Sequence, residues 1–132
     1  MSVQFNHTVV LASDKHTGAQ FLADILGRPA PVPYGPFVTV ALDNGVTLDY
    51  ANHTDYDAPL TTTHLAFLVG EAEFDEILAR VTERGIPYWA DPMSSLPNQI
   101  NTNDGGRGFY FLDPDGHHLE AITVPYGGWP RR

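Results

Sequence analysis

Apolar and polar positions alternate along the chain in a way that separates strand-like from helix-like segments. Residues 5–11 form a mostly apolar run, which predicts a largely buried strand. Ser13 and Asp14 then give a helix-start signal, apolar residues follow at helical spacing, and Gly27 predicts the end of the helix. The proline-rich segment 29–36 predicts irregular structure.

A hairpin completes the first half of the chain. Two strand-like runs, residues 37–42 and 46–51, flank Asp43-Asn44-Gly45. An Asn-Gly pair between such runs is a strong hairpin signal, because both residues tolerate the backbone angles of a tight turn. The first half therefore predicts the order strand, helix, hairpin.

The second half repeats this order. Residues 62–69 predict a strand, and the amphipathic helix that follows has an acidic first turn and ends at Gly85. Residues 87–89 predict a short edge strand, and residues 90–107 lack a clear period and predict a long loop. The turn residues Asp113-Pro114-Asp115-Gly116 predict a second hairpin between residues 109–112 and 117–124.

The two halves can be aligned on each other. His7 then matches His64, each on the first strand of its half, and Asp49 matches Glu120, each on the last strand. The alignment predicts two copies of one unit, each carrying a histidine and a carboxylate in equivalent positions.

Composition narrows the classes of function. The chain has 132 residues, enough for one compact domain, and a formal net charge of −9. That charge repels phosphate backbones and anionic lipids, so we expect neither a nucleic-acid nor a membrane partner. Because the chain has no cysteine, a metal has to be held by histidine and carboxylate. Without a secretory signal pattern at the N-terminus, a cytoplasmic location is the default expectation.

The paired histidines and carboxylates are the candidate chemistry. Strand alternation places His7, His64, Asp49 and Glu120 among apolar neighbours, where a carboxylate is costly unless it is paired or bound to a metal. These donors suit Fe, Mn, Ni, Co or Zn. The alternatives at single positions are a core histidine bonded to the backbone and a solvated glutamate, but the internal symmetry favours a common site.

The segment Gly106-Arg107-Gly108-Phe109-Tyr110-Phe111-Leu112-Asp113-Pro114-Asp115-Gly116-His117-His118-Leu119-Glu120, together with the strand-borne histidines, resembles the vicinal oxygen chelate superfamily. That superfamily includes glyoxalase I, extradiol dioxygenases, fosfomycin-resistance thiol transferases, methylmalonyl-CoA epimerase and bleomycin-resistance proteins. The resemblance implies an α+β fold in which two tandem βαβββ modules form an open, cup-shaped mixed sheet. It implies a single domain over residues 1–132, with modules near 1–56 and 61–125 and a tail at 126–132.

The resemblance also implies a site and a mechanism. His7, His64 and Glu120 match the three common metal ligands, and Asp49 lies where some members place a fourth ligand that doubles as general base. The divalent ion would chelate vicinal oxygens of a small-molecule substrate, with lyase or isomerase-like chemistry or ring-cleaving dioxygenation as the outcome. A homodimer is implied as well. The alternative is a metal-free protein of the bleomycin-resistance type that sequesters its ligand.

The remaining residues suggest the character of the pocket. Arg107 is the main cation expected near the site, so a phosphonate or another strongly anionic substrate is disfavoured. Tyr110 is a candidate proton donor to a metal-bound oxygen. The other candidate substrate contacts are aromatic, with core packing as the alternative for each: Trp89, Tyr50 and Phe111. His16, His53 and His117 are expected at the surface.

Overall fold

The computed structural model describes residues 2–128, which fall into two compact units divided between Thr63 and His64. Each unit contains one α-helix and one four-stranded mixed sheet in the order βαβββ. The predicted α+β class with two such modules is confirmed. Arg131 and Arg132, in the predicted tail, lie outside the described residues.

The first unit contains five elements: β1 (His7–Ala12), α1 (Lys15–Leu26), β2 (Val32–Tyr34), β3 (Phe37–Ala41) and β4 (Thr47–Asn52). Its strand order is β1-β4-β3-β2, with β1 parallel to β4 and the other pairs antiparallel. The Asn-Gly hairpin between β3 and β4 is therefore confirmed.

Helix α1 begins and ends at the predicted signals. The Asp14 side chain caps it by accepting hydrogen bonds from the backbone N–H groups of His16 and Thr17. Gly27 closes the helix with a φ of 66°, which glycine adopts without strain. The helix packs closely on β4, because a Cβ atom at Gly18 would lie only 2.9 Å from Cδ2 of the buried Tyr50 ring.

Two expectations for the first unit are corrected. Residues 32–34 of the proline-rich segment form the edge strand β2, since Pro33 on an edge strand removes no hydrogen bond from the sheet interior. The first strand begins at His7, and the side chain of Phe5 is exposed instead of buried.

The second unit also contains five elements: β5 (His64–Leu68), α2 (Glu71–Glu83), β6 (Tyr88–Trp89), β7 (Gly108–Leu112) and β8 (His118–Ile122). Its strand order is β5-β8-β7-β6, with β5 parallel to β8. The predicted edge strand and the second hairpin are confirmed.

An aromatic cluster joins α2 to its sheet. The Phe74 ring of α2 meets the Phe109 ring edge-on at 5.3 Å, and Phe109 also contacts Phe111 and Tyr88. Phe74, Phe109 and Phe111 are almost completely buried. One face of this sheet is therefore occupied by the helix, and the side chains at alternate positions point to the opposite face.

The strand registers show that the two units are equivalent. Asp49 lies between Val9 of β1 and Thr39 of β3, and Glu120 lies between Ala66 of β5 and Tyr110 of β7. The histidines are equivalent as well. His7 is two residues before Val9, which pairs with Asp49, and His64 is two residues before Ala66, which pairs with Glu120. The internal repeat predicted from the sequence is confirmed.

His117 corrects another expectation, because its side chain is buried with only 1% exposed. Strand alternation explains this, since His117 lies on the same side as the buried Leu119, whereas His118 shares the face of Glu120. Its backbone N–H donates to Oδ1 of Asp113 in the turn.

No helix within residues 2–128 is both long and apolar enough to cross a membrane.

Candidate functional site

The candidate site lies on the face of the second sheet that α2 does not cover. Register places Trp89, Tyr110, Glu120 and Ala66 in one row across β6, β7, β8 and β5. Because residues directly paired in a sheet share a face, these four side chains project together. Ala66 is small and leaves room beside Glu120.

Glu120 is the buried charge at the centre of this row. Its exposed fraction is 1%, and a carboxylate so far from water requires partners. Oε1 lies 2.8 Å from Nε2 of His64, whose side chain is half exposed. The predicted pair of His64 and Glu120 is thus brought together, with the imidazole on the solvent side.

Sequence reasoning missed Tyr126. It begins a short 3-10 turn after β8, in the segment expected to be a tail, and its hydroxyl donates to Oε2 of Glu120. The one sequence signal was the pair Gly127-Gly128, whose positive φ angles allow the chain to turn sharply just after this tyrosine.

Tyr110 lies where the sequence placed it, on the face of Glu120. Its hydroxyl is 2.9 Å from the Tyr126 hydroxyl, and its ring contacts His64 edge-on at 6.0 Å. Burial raises the pKa of Tyr110, and the nearby Glu120 carboxylate acts in the same direction. Burial and the same carboxylate also raise the pKa of Tyr126. Both phenols therefore remain protonated at neutral pH.

The structure separates the predicted aromatic contacts. Trp89 is partly buried and lies in the row of Glu120, so its position is compatible with a substrate contact. Phe111 stacks on Phe109 at 5.5 Å on the helix side of the sheet. Tyr50, in the first unit, is fully buried against α1. Phe111 and Tyr50 thus occupy core positions, which was the alternative considered for them.

Arg107 is held by α2. Its guanidinium donates to Oε1 of Glu71 at 3.0 Å and to Oδ1 of Asp75 at 2.8 Å, and it covers the Phe74 ring at 4.3 Å. Two carboxylates already neutralise this charge. This position favours a structural role, in which Arg107 holds α2 against β7, and disfavours the predicted contact with a substrate.

The equivalent row of the first unit is simpler. Asp49 is buried with 9% exposed and accepts a hydrogen bond from the Thr39 hydroxyl at 3.2 Å. His7 is exposed, and its Nδ1 lies 2.7 Å from Oδ1 of Asn6. The predicted roles of Asp49 as fourth ligand or base and of His7 as ligand stay predictions.

The donors of the second unit fit a divalent ion. Two ligand atoms at about 2.1 Å from one ion, at a right angle, are about 3 Å apart. Nε2 of His64 and Oε1 of Glu120, at 2.8 Å, have this spacing. In the part of the chain that the structure describes, no group of three or more His, Cys, Asp or Glu side chains is close enough to hold a metal ion.

Comparisons with known proteins show what the chain as a whole is similar to. The chain is 32% identical over 124 residues to the glutathione transferase FosA of Serratia marcescens, covering 91% of this chain and 80% of that protein. It is 55% identical to the solved oxidase ChaP-H1, with a TM-score of 0.92, covering 96% of this chain and 100% of that one. A lactoylglutathione lyase from Agrobacterium tumefaciens shares the fold, with a TM-score of 0.72 at 18% identity over 98% of each chain. No family model matches the sequence.

The chain therefore belongs to the vicinal oxygen chelate superfamily, as its Asp-Pro-Asp-Gly and Leu-Glu motif predicted. Two proteins that resemble it over most of its length, FosA and ChaP-H1, are enzymes by name.

Proposed function

We propose that this protein is a metal-dependent oxidase that acts on a small oxygenated organic molecule, with dioxygen as the oxidant. The observation that carries the proposal is the contact between His64 and the buried Glu120 on the sheet face opposite α2. The identity of 55% with the oxidase ChaP-H1 over nearly the whole chain supports the oxidative chemistry.

His64 and Glu120 would hold the metal ion, with His7 as the third predicted ligand. Two histidines and one carboxylate leave coordination positions open, and an Fe(II) ion so held supplies binding positions for dioxygen and for substrate oxygens. Of the predicted metals Fe, Mn, Ni, Co and Zn, the proposal takes iron. Asp49 is left as an additional ligand or base to be tested.

The surroundings of Glu120 favour a neutral, aromatic substrate over an anionic one. Trp89, Tyr110 and Tyr126 present ring and hydroxyl surface near this carboxylate. Arg107, the cation expected there, is paired with Glu71 and Asp75. An anionic phosphonate or thiol conjugate would therefore lack the cation that the sequence offered for it.

The test is anaerobic loading with Fe(II), followed by nitric oxide, which binds to open positions on Fe(II) and gives a characteristic electron paramagnetic resonance signal. Wild type is expected to bind iron stoichiometrically and to give this signal. His64→Ala, Glu120→Gln and His7→Ala are expected to lose iron, and Tyr34→Phe, on an exposed edge strand, serves as the matched control.

Each other outcome contradicts part of the proposal. Wild type that binds no transition metal would favour the metal-free sequestering alternative. Iron binding without a nitrosyl signal would indicate a closed ligand set and favour lyase or isomerase chemistry. The predicted homodimer is measured separately by sedimentation equilibrium of the metal-loaded protein.

A further inference from the structure

Each oxygen of the Glu120 carboxylate has a different partner. Oε1 is paired with Nε2 of His64 at 2.8 Å, and Oε2 accepts the hydroxyl of Tyr126. Glu120 is 1% exposed and Tyr126 is 42% exposed. The buried carboxylate is thus fixed on one side by a residue from the segment after β8.

The directions of these hydrogen bonds follow from counting hydrogens. An ionised carboxylate only accepts, and a tyrosine hydroxyl has a single hydrogen to donate. Because Tyr126 donates its hydrogen to Oε2, the bond between the two phenols has Tyr110 as donor and Tyr126 as acceptor. The order is Tyr110 to Tyr126 to Glu120, and Tyr110 has no second hydrogen to give to a substrate.

We propose that Tyr126 is a positioning residue of the metal site, which holds Oε2 of Glu120 so that Oε1 alone is presented to the ion beside His64. Tyr110 supports it by orienting the Tyr126 hydroxyl. This changes the role predicted for Tyr110 from proton donor to member of a supporting hydrogen-bond chain. The inference rests on the proposed function, because it takes His64 and Glu120 as ligands.

Local structure holds Tyr126 in this position. The residue lies in a short turn closed by a hydrogen bond of 2.9 Å from the Gly128 N–H to the Pro125 carbonyl. A glutamate with one fixed oxygen loses less rotational freedom on binding a metal than a free glutamate does. Partners that orient metal ligands are worth about 10- to 100-fold in metal affinity.

The test is titration with Co(II) alone, followed through its visible absorption bands, on wild type, Tyr126→Phe, Tyr110→Phe and the double variant. Tyr126→Phe is expected to weaken the Co(II) Kd by about 10- to 100-fold and to alter the absorption bands, because Oε2 becomes free to rotate toward the ion. Tyr110→Phe is expected to have a smaller effect. The double variant should match Tyr126→Phe, since Tyr110 acts through Tyr126.

Tyr34→Phe is the control, because Tyr34 is 75% exposed on an edge strand of the other unit. Urea unfolding of the metal-free variants checks that the folded state is retained. Tyr126→Phe with the wild-type Kd and spectrum would overturn the inference and leave the proposed function intact. Wild type that binds no Co(II) would overturn both, and additive effects in the double variant would overturn the relay through Tyr126.

Discussion

The two units share a topology and a strand register, yet the central carboxylate has different surroundings in each. In the first unit Asp49 has Thr39 as its strand neighbour and hydrogen-bond donor. In the second unit Glu120 has Tyr110 as its neighbour, with the His64 imidazole and the Tyr126 hydroxyl on its two oxygens. The same backbone therefore supports a buried acid with one hydrogen-bond donor in the first unit and a buried acid with a partner on each oxygen in the second.

The helices differ in a related way. Helix α1 approaches its sheet closely at Gly18, above the Tyr50 ring, whereas α2 is separated from its sheet by Phe74 and Phe109. Duplicated topology thus leaves the packing layer free to diverge, because α1 and α2 pack against different side chains. Five tests probe these contrasts; the first four are ordered by expected effect, and the fifth compares the two helix caps.

Phe74→Ala is expected to have the largest effect. Removing a fully buried ring that contacts Phe109 and lies under Arg107 should lower the free energy of unfolding by about 3–5 kcal/mol. Urea unfolding followed by tryptophan fluorescence measures it. If Phe74→Ala lowered the free energy of unfolding by less than a surface substitution such as Tyr34→Phe does, then α2 would not depend on the aromatic cluster.

Glu120→Gln compared with Asp49→Asn tests the contrast between the two carboxylates. Glu120→Gln should weaken Co(II) binding by more than about 100-fold, because it alters a ligand and not only a partner of one. Asp49→Asn should leave the affinity little changed, since the Thr39 hydroxyl is the donor recorded for its carboxylate. Equal losses in the two variants, measured by isothermal titration, would instead support four ligands.

Gly18→Ala tests the close approach of α1. The new Cβ would lie 2.9 Å from Cδ2 of the fully buried Tyr50 ring. Overpacking costs about 1–3 kcal/mol, which outweighs the gain of up to about 1 kcal/mol in helix propensity. Thermal unfolding should show a lower Tm, and a higher Tm would mean that Tyr50 shifts freely.

Gly70→Ser is expected to have the smallest effect. Gly70 caps α2 without a side-chain hydrogen bond, and Glu73 already reaches back toward it. Serine would complete a capping box and raise the free energy of unfolding by a few tenths of a kcal/mol. Urea unfolding at neutral pH measures this gain, and an unchanged or lower stability would contradict the capping-box explanation.

Asp14→Asn tests the N-cap of α1, which is the counterpart in the first unit of the Gly70 cap of α2. The backbone N–H of Thr17 lowers the pKa of Asp14 below its usual value of 3.8. The stabilisation by this charged cap is therefore fully present above pH 3.8 and is lost as the pH falls through the lower pKa that Asp14 has in the folded state. Asp14→Asn keeps a capping oxygen without the charge, so urea unfolding of this variant should lack that acid dependence.

Much of the fold was predictable because its signals are local. Asp14, Gly27 and the Asn44-Gly45 pair act through backbone angles and hydrogen bonds within a few residues, so the helix and hairpin could be placed from sequence. Residues 32–34 were missed because their strand exists only through pairing with β3. His117 was expected at the surface but is buried on the side of Leu119.

Only part of the site was predictable from the sequence. The internal repeat singled out His64 and Glu120, and the structure brings them into contact. The internal repeat offered no equivalent for Tyr126, because this residue lies outside both predicted copies of the repeated unit. Arg107 and Phe111 were expected to face a substrate, but Arg107, just before β7, covers Phe74 of α2, and Phe111 stacks on Phe109 on the helix side of the sheet.

The sequence alone determined the repeated order of strand, helix and hairpin and the histidine and carboxylate of each copy, because periodicity and turn chemistry are properties of neighbouring residues. Only the tertiary structure decided which groups surround the buried carboxylate. Tyr126 reaches Glu120 across a turn, and Arg107 is drawn to Glu71 and Asp75 on a helix distant in sequence. Tyr126 is only six residues from Glu120 but reaches it through a turn that no periodicity marks, and the partners of Arg107 are more than 30 residues away in the chain.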